Sequence, residues 1–297
     1  MPKIKYRDIK LQASSLALVE TSNAIIADYE SQGFILTLRQ LYYQLVSRDI
    51  IPNRQSEYKR LGSIINDARL AGLIDWLAIE DRTRDLRALS HWGSPSEIVE
   101  TCANQFHMDM WEGQDYRPEV WIEKDALVGV IEGVCNELDV AHFSCRGYTS
   151  QSEMWVAGQR LRRYNKSGQT PIIFHFGDHD PSGKDMTRDI IDRLALFMGG
   201  LEVKRLALNM NQVEQYNPPP NPAKTTDSRY GAYIAEFGDE SWELDALEPR
   251  VIAELIRTNV QALLDPVLWE KRQAEVKEGR KKLGAVAENW DEVTEAL

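Results

Sequence analysis

Three carboxylates carry the clearest chemical signal in this 297-residue chain. Glu123 ends the short apolar run EVWIE, and Asp178 and Asp180 follow the run PIIFHF within GDHD. In extended backbone, residues i and i+2 point to the same side, so the two aspartates share a face and His179 turns away from it. Ligands of open parallel sheets collect beyond the carboxyl ends of the strands, and all three acids stand at such ends. A set of carboxylates converging from two strand ends suits Mg²⁺, which prefers oxygen ligands and keeps part of its water shell. It does not suit zinc, which takes Cys and His as well. A DxD pair alone is usually a surface or capping feature; strand-end placement is what favours the metal reading here.

The second signal is the pair Tyr42–Tyr43 in RQLYY. Leu38, Leu41, Tyr42, Leu45 and Val46 recur at helical spacing as one apolar stripe, which assigns Tyr42 to a core. Tyr43 lies about 100° further round the helix, one turn after Arg39. A guanidinium beside a phenol favours its ionisation and can hold a phosphate, as a nucleophile attacking a phosphodiester requires. On spacing alone the favoured reading is an amphipathic surface tyrosine with an incidental arginine. SGKD at 182–185 is no phosphate loop: five residues, not four, separate Gly177 from Gly183, and Asp185 stands where Ser or Thr is needed.

Two kinds of element must position these groups. Residues 11–31, 37–48 and 56–71 have helical spacing, with Thr37 and Ser56 as candidate N-caps and Gly33 and Gly72 as stops. Residues 73–80 read as extended, and EDRTRDLR follows as a charged edge. Three helices and then a short strand region is the order of a winged helix-turn-helix over residues 1–90, its third helix facing a DNA groove. Lys59, Arg60 and Arg69 on that helix are the candidate DNA contacts. Residues 91–117, with Gly93, Pro95 and Gly113, read as a linker. From residue 118 to 215, apolar runs alternate with helical stretches, which predicts βαβ units and a mostly parallel sheet. PIIFHF is apolar throughout, as a strand buried on both faces requires. Residues 216–230 read as a loop. Residues 249–288 are helical and charged, within a C-terminal extension over 216–297.

Composition is ordinary for a soluble globular chain of about two domains. Three cysteines, with no CxxC pair, argue against a disulfide framework or a zinc site. No apolar run has the length to span a bilayer, and MPKIKYRDIK lacks a signal peptide's apolar stretch, so a cytoplasmic, nucleoid-associated location is expected. The net charge of −11 hides an asymmetry: residues 1–90 carry 13 Lys/Arg against 11 Asp/Glu, a net +2, leaving −13 for the remainder. Any grip on DNA must therefore be local.

The order RQLYY (39–43), EKDALVGV (123–130), SCRGYTSQSE (144–153) and GDHDPSG (177–183) resembles the A subunit of topoisomerase VI and its relative, the meiotic double-strand-break transesterase. That family joins a CAP-like winged helix to a Toprim domain. The resemblance covers roughly residues 30–210. It implies Tyr43 as nucleophile, Arg39 as its arginine, and Mg²⁺ held by Glu123, Asp178 and Asp180. It places Arg146, in a basic-Gly-Tyr turn, on the DNA. It implies duplex DNA as substrate and a homodimer in which the tyrosine of one protomer meets the acids of the other. A separate ATPase subunit is a further implied partner, although this chain carries no nucleotide motif. Gln40 departs from the family's usual acid, and residues 221–230 and 242–247 look more like phage or mobile-element relatives. Glu243 and Asp245 read either as further site carboxylates or as structural groups, with the structural reading favoured. A Toprim nuclease that activates water, and a non-catalytic DNA-binding module, remain the rival readings.

Overall fold

The computed structural model describes residues 3–80, 89–198 and 201–295, which fold as a mixed α/β chain. The charged edge expected from EDRTRDLR lies almost wholly outside the described residues. Helix α1 (Ala13–Ser31) leads through the two-residue strand β1 (Leu36–Thr37) into α2 (Leu38–Ser47). Thr37 caps α2 reciprocally: its hydroxyl accepts the Gln40 N–H at 3.3 Å, and the Gln40 side chain accepts the Thr37 N–H at 2.8 Å. Helix α3 (Gln55–Leu70) follows, and β2 (Ile79–Glu80) returns to pair parallel with β1. Leu41, Leu45, Leu61, Ile65 and Ile74 form the centre of this N-terminal core. Ser56 is not the cap of α3; Arg54 holds that place, without a side-chain bond. Only the last two residues of 73–80 are strand.

Residues 91–117 are not a bare linker. Helix α4 (Pro95–Gln105) starts at Ser94, whose hydroxyl accepts the Glu97 N–H at 3.2 Å. Its packing partner is the distant C-terminal helix, so the segment shows no convincing periodicity when read alone.

The sheet is built from β3 (Tyr116–Ile122), β4 (Ala141–Ser144), β5 (Thr170–Phe176) and β6 (Glu202–Ala207), in the order β4-β3-β5-β6 and all parallel. Helices α5 (Val128–Glu137), α6 (Gln151–Lys166) and α7 (Pro181–Ala195) make the crossovers. Alternation sends Val120, Ile122, Phe174 and Phe176 to one face, against Val130 and Ile131 of α5. Trp121 and Ile173 go to the other, against Leu161 of α6 and Leu194 of α7. PIIFHF is buried throughout, as expected.

After β6 come α8 (Met210–Tyr216), β7 (Asn221–Pro222), α9 (Tyr230–Phe237) and β8 (Glu240–Ser241), with β7 and β8 antiparallel. Helices α10 (Pro249–Gln261), α11 (Pro266–Glu288) and α12 (Trp290–Glu295) follow. The C-terminal stretch is not an appended extension. Ile252, Ile256 and Val260 of α10 share the core of the first sheet face, because a parallel sheet needs cover on both sides. Helix α11 packs along α4, and Gly279 makes room for the Phe106 ring, which a Cβ there would meet at 2.3 Å. Among the described residues no helix is long and apolar enough to cross a membrane.

Candidate functional site

Glu123 continues the line of β3: its N–H donates to the Phe176 carbonyl at 2.8 Å. Its side chain turns back across the strand ends, and Oε2 accepts the Asp178 N–H at 2.9 Å. Asp178 Oδ1 accepts the Leu244 N–H at 2.8 Å and the Lys124 ammonium at 3.0 Å. Asp180 caps α7, with Oδ1 taking the Gly183 N–H at 2.6 Å and the Ser182 hydroxyl at 3.1 Å. The chain turns so tightly there that a Cβ on Gly183 would lie 2.2 Å from the Asp178 carbonyl oxygen.

A half-buried arginine sets this acidic turn. Arg205 of β6 donates to the carbonyls of Gly177 at 2.9 Å, Asp178 at 2.6 Å and Gly183 at 2.8 Å. His179 faces away, as its spacing predicts. Its ring packs among Tyr233, Phe237 and Trp242, and Nδ1 meets the Tyr233 hydroxyl at 2.8 Å.

Lys124 binds the acids to the N-terminal helices. Its Nζ lies 3.0 Å from Asp178, 2.9 Å from Glu243 and 3.0 Å from Asp245. Arg39 of α2 reaches the same two later carboxylates, pairing with Glu243 and meeting Asp245 through Nε at 2.9 Å. The same Nη2 that pairs with Glu243 donates to the Tyr43 hydroxyl at 3.4 Å. One polar chain thus runs from Tyr43 through Arg39, Glu243, Asp245 and Lys124 to Asp178, whose N–H meets Glu123.

Two expectations need correction. Tyr43 does not sit on an open helix face; it is 3% exposed, even less than its neighbour Tyr42 at 5%. The segment 220–246 folds over the side of α2 that the apolar stripe leaves bare, with Asn53 donating to the Pro220 carbonyl at 2.9 Å and Ala246 entering the N-terminal core. Arg69 is not free for DNA. Its guanidinium is half-buried and donates to the carbonyls of Trp76 at 3.2 Å and Ile79 at 2.5 Å, closing the end of α3 onto β2. Lys59 and Arg60 are exposed, with Arg60 donating to Glu57 at 2.8 Å. Arg146 is exposed in a left-handed turn, φ +52°, and donates to Asp125 at 3.1 Å.

The electrostatics follow from burial. Burial, and then the like charge of Asp178, push the Glu123 carboxyl up to about 7. Burial lifts Asp178 to about 6, although Lys124 pulls the other way. Burial also raises Glu243, but Lys124 and then Arg39 overcome it and hold that carboxyl at about 2. Burial raises the Tyr43 phenol well above its ordinary value, Asp245 and Glu243 add to this, and Arg39 opposes them. The guanidinium therefore does not win at this phenol while both carboxylates hold it.

Among the described residues no three His, Cys, Asp or Glu side chains form a ready-made metal-ligand group. The donor chemistry nevertheless fits a hard cation. Half-buried Glu123 and buried Asp178 are oxygen donors on adjoining strand ends, linked through the Asp178 N–H, and burial raises the proton affinity of both. Lys124 and Arg205 entered through the fold, although Lys124 adjoins Glu123 in the chain and an arginine inside a strand of a buried sheet is itself a signal. Glu243 and Asp245 were open between a site and a structural role, and the fold sets both against Lys124 and Arg39. Compared with family models, curated proteins and solved structures, the chain finds no match.

Proposed function

We propose that this chain is a Mg²⁺-dependent DNA transesterase of the topoisomerase VI A-subunit type, its N-terminal helices acting as a winged helix and its sheet as a Toprim unit. The observation that carries the reading is the polar chain joining Tyr43 and Arg39 to the strand-end acids. Tyr43 Oη attacks a DNA phosphorus, the P–O3′ bond breaks, and a 5′-phosphotyrosyl link and a free 3′-hydroxyl result. The phenol gives its proton to solvent, and the 3′-oxygen takes one from water, relayed by Glu123. Arg39 steadies the charge that builds on the phosphoryl oxygens. Glu123 and Asp178, with the second oxygen of Asp180, would hold Mg²⁺. When bound, it would supply further charge stabilisation to the phosphoryl oxygens. One bond is exchanged for a like bond, so the step is reversible. Two copies acting together on duplex DNA cut both strands.

A second reading, a Toprim-type nuclease that uses water, is favoured by one observation, the burial of Tyr43. A covalent-trap assay separates the two. The protein is incubated with labelled supercoiled and linear duplex in Mg²⁺, denatured, and examined for DNA attached to protein. The transesterase yields an adduct that disappears in Tyr43→Phe and in Asp178→Ala. Cleavage without an adduct, unchanged by Tyr43→Phe, establishes the nuclease.

A further inference from the structure

Lys124 brings to the acidic site a positive charge that the chain itself provides. An ammonium has three hydrogens to donate and accepts none. Around Lys124 Nζ stand three carboxylate oxygens: Asp178 Oδ1 at 3.0 Å, Glu243 Oε2 at 2.9 Å and Asp245 Oδ1 at 3.0 Å. Each hydrogen therefore has an acid, and none is left for a phosphate. Asp178 and Asp245 are buried, and Lys124 is half-buried. Three hard oxygens round one point, largely out of water, are the surroundings that a divalent cation otherwise takes. The strand-end acids divide their oxygens accordingly. Glu123 Oε2 accepts the Asp178 N–H at 2.9 Å, and Asp180 Oδ1 accepts the Gly183 N–H at 2.6 Å. Asp178 Oδ1 accepts the Leu244 N–H at 2.8 Å as well as serving Lys124. One oxygen of each acid is thus engaged by the protein, and the other is left to face a cation, with the exposed Lys224 lying 3.8 Å from that of Asp180. Three single oxygens would supply part of the six ligands that Mg²⁺ takes and leave the rest to water. Asp178 then bridges a fixed cation and an exchangeable one. Two-metal phosphoryl-transfer sites put a second divalent ion beside the first to share the charge of the transition state.

We propose that Lys124 is the resident second cation of this site: its ammonium holds the place between Asp178, Glu243 and Asp245, so that the chain takes one divalent ion, at Glu123, Asp178 and Asp180, rather than two. The inference rests on the Mg²⁺ reading above, and it is indifferent to whether tyrosine or water attacks and to how chains pair. Lys124 touches no reacting atom. It is a positioning residue that holds Asp178 and supplies a charge present at every Mg²⁺ concentration.

The test counts ions. Mn²⁺, which prefers the same oxygen ligands and is visible by electron paramagnetic resonance, is titrated into the full chain in about 0.15 M KCl, where loose surface binding is screened. Ions bound with Kd under about 1 mM are counted. The wild-type chain is expected to bind about one, and Lys124→Met about two, because three acids are left without their cation. Lys124→Met combined with Asp245→Asn is expected to return to about one, which locates the added ion. Circular dichroism checks that each variant is folded, and Lys124→Gln replaces Lys124→Met if the latter is not. Two ions on the wild-type chain, or no more than one on Lys124→Met, overturn the proposal. A second ion that survives in the double variant lies elsewhere and overturns it too. Absence of a bound ion from every chain removes the Mg²⁺ reading itself, an outcome distinct from two ions on the wild type.

Discussion

Replacing Lys124 by methionine removes the one ammonium that three carboxylates share. Asp178, Glu243 and Asp245 lie 3.0, 2.9 and 3.0 Å from it. Removing one partner of a buried ion pair costs about 3–5 kcal/mol, because the remaining charge is left uncompensated. Arg39 still serves Glu243 and Asp245, so the cost should fall at the lower end, about 3 kcal/mol. For domains of this general size that lowers Tm by roughly 6–12 °C. The loss has a pH signature. Without Lys124 the proton affinity of folded Asp178 rises further above its unfolded value, so the folded state binds the extra proton. Stability is then lost as pH rises and recovered as pH falls. Differential scanning calorimetry at about pH 7.5 and about pH 5 should show a wide gap between variant and wild type in the first and a narrow one in the second. Mg²⁺ should raise the variant's Tm more than the wild type's, since the cation would replace the missing charge. A variant melting within about 2 °C of wild type at neutral pH, or a gap indifferent to pH, would refute the counter-ion role.

Two further outcomes are expected. In the wild-type protein, Glu123 at about 7 and Asp178 at about 6 both stand above their ordinary 4.5 and 3.8. The folded state therefore binds more protons than the unfolded, and their contribution to stability falls as pH rises from about 4 to 7, a slope that saturating Mg²⁺ should flatten in denaturant titrations. Gly183→Ala places a methyl 2.2 Å from the Asp178 carbonyl oxygen, so the acidic turn must move. A loss of about 1–3 kcal/mol together with loss of cleavage is expected; wild-type melting and cleavage would show that the turn tolerates the group.

The parts of the site legible in the sequence are those whose environment is local. Strand-end placement of Glu123, Asp178 and Asp180 follows from runs of apolar residues that stop, and the aversion of His179 follows from two-residue periodicity. The Thr37 cap was legible for the same reason. Tyr43 illustrates the opposite case. Its position on α2 predicts which way it points, but what covers that side comes from residues 220–246, and no helical stripe encodes a neighbour so far along the chain. Arg69 looks like a groove contact on helical spacing alone, whereas its acceptors are backbone carbonyls that exist only once β2 has folded back. The short helix α4 escaped notice because its partner face lies on α11. Glu243 and Asp245 are ordinary acids until the fold sets them between Arg39 and Lys124.

That separation along the chain has a consequence for how the protein is born. Arg39 and Glu243 are 204 residues apart. A ribosome adding roughly 5–20 residues per second takes about 10–40 s to travel between them. Through that interval the first helices leave the exit tunnel with the side of α2 around Tyr43 uncovered and Arg39 without the carboxylates that hold it. The four strands of the sheet emerge meanwhile. Asp178 waits 66 residues for its Leu244 partner, and α4 receives α11 only after all four strands are made. The arrangement linking tyrosine to acids is thus completed after almost everything around it, and a nascent chain carries each reactive group without the geometry that joins them.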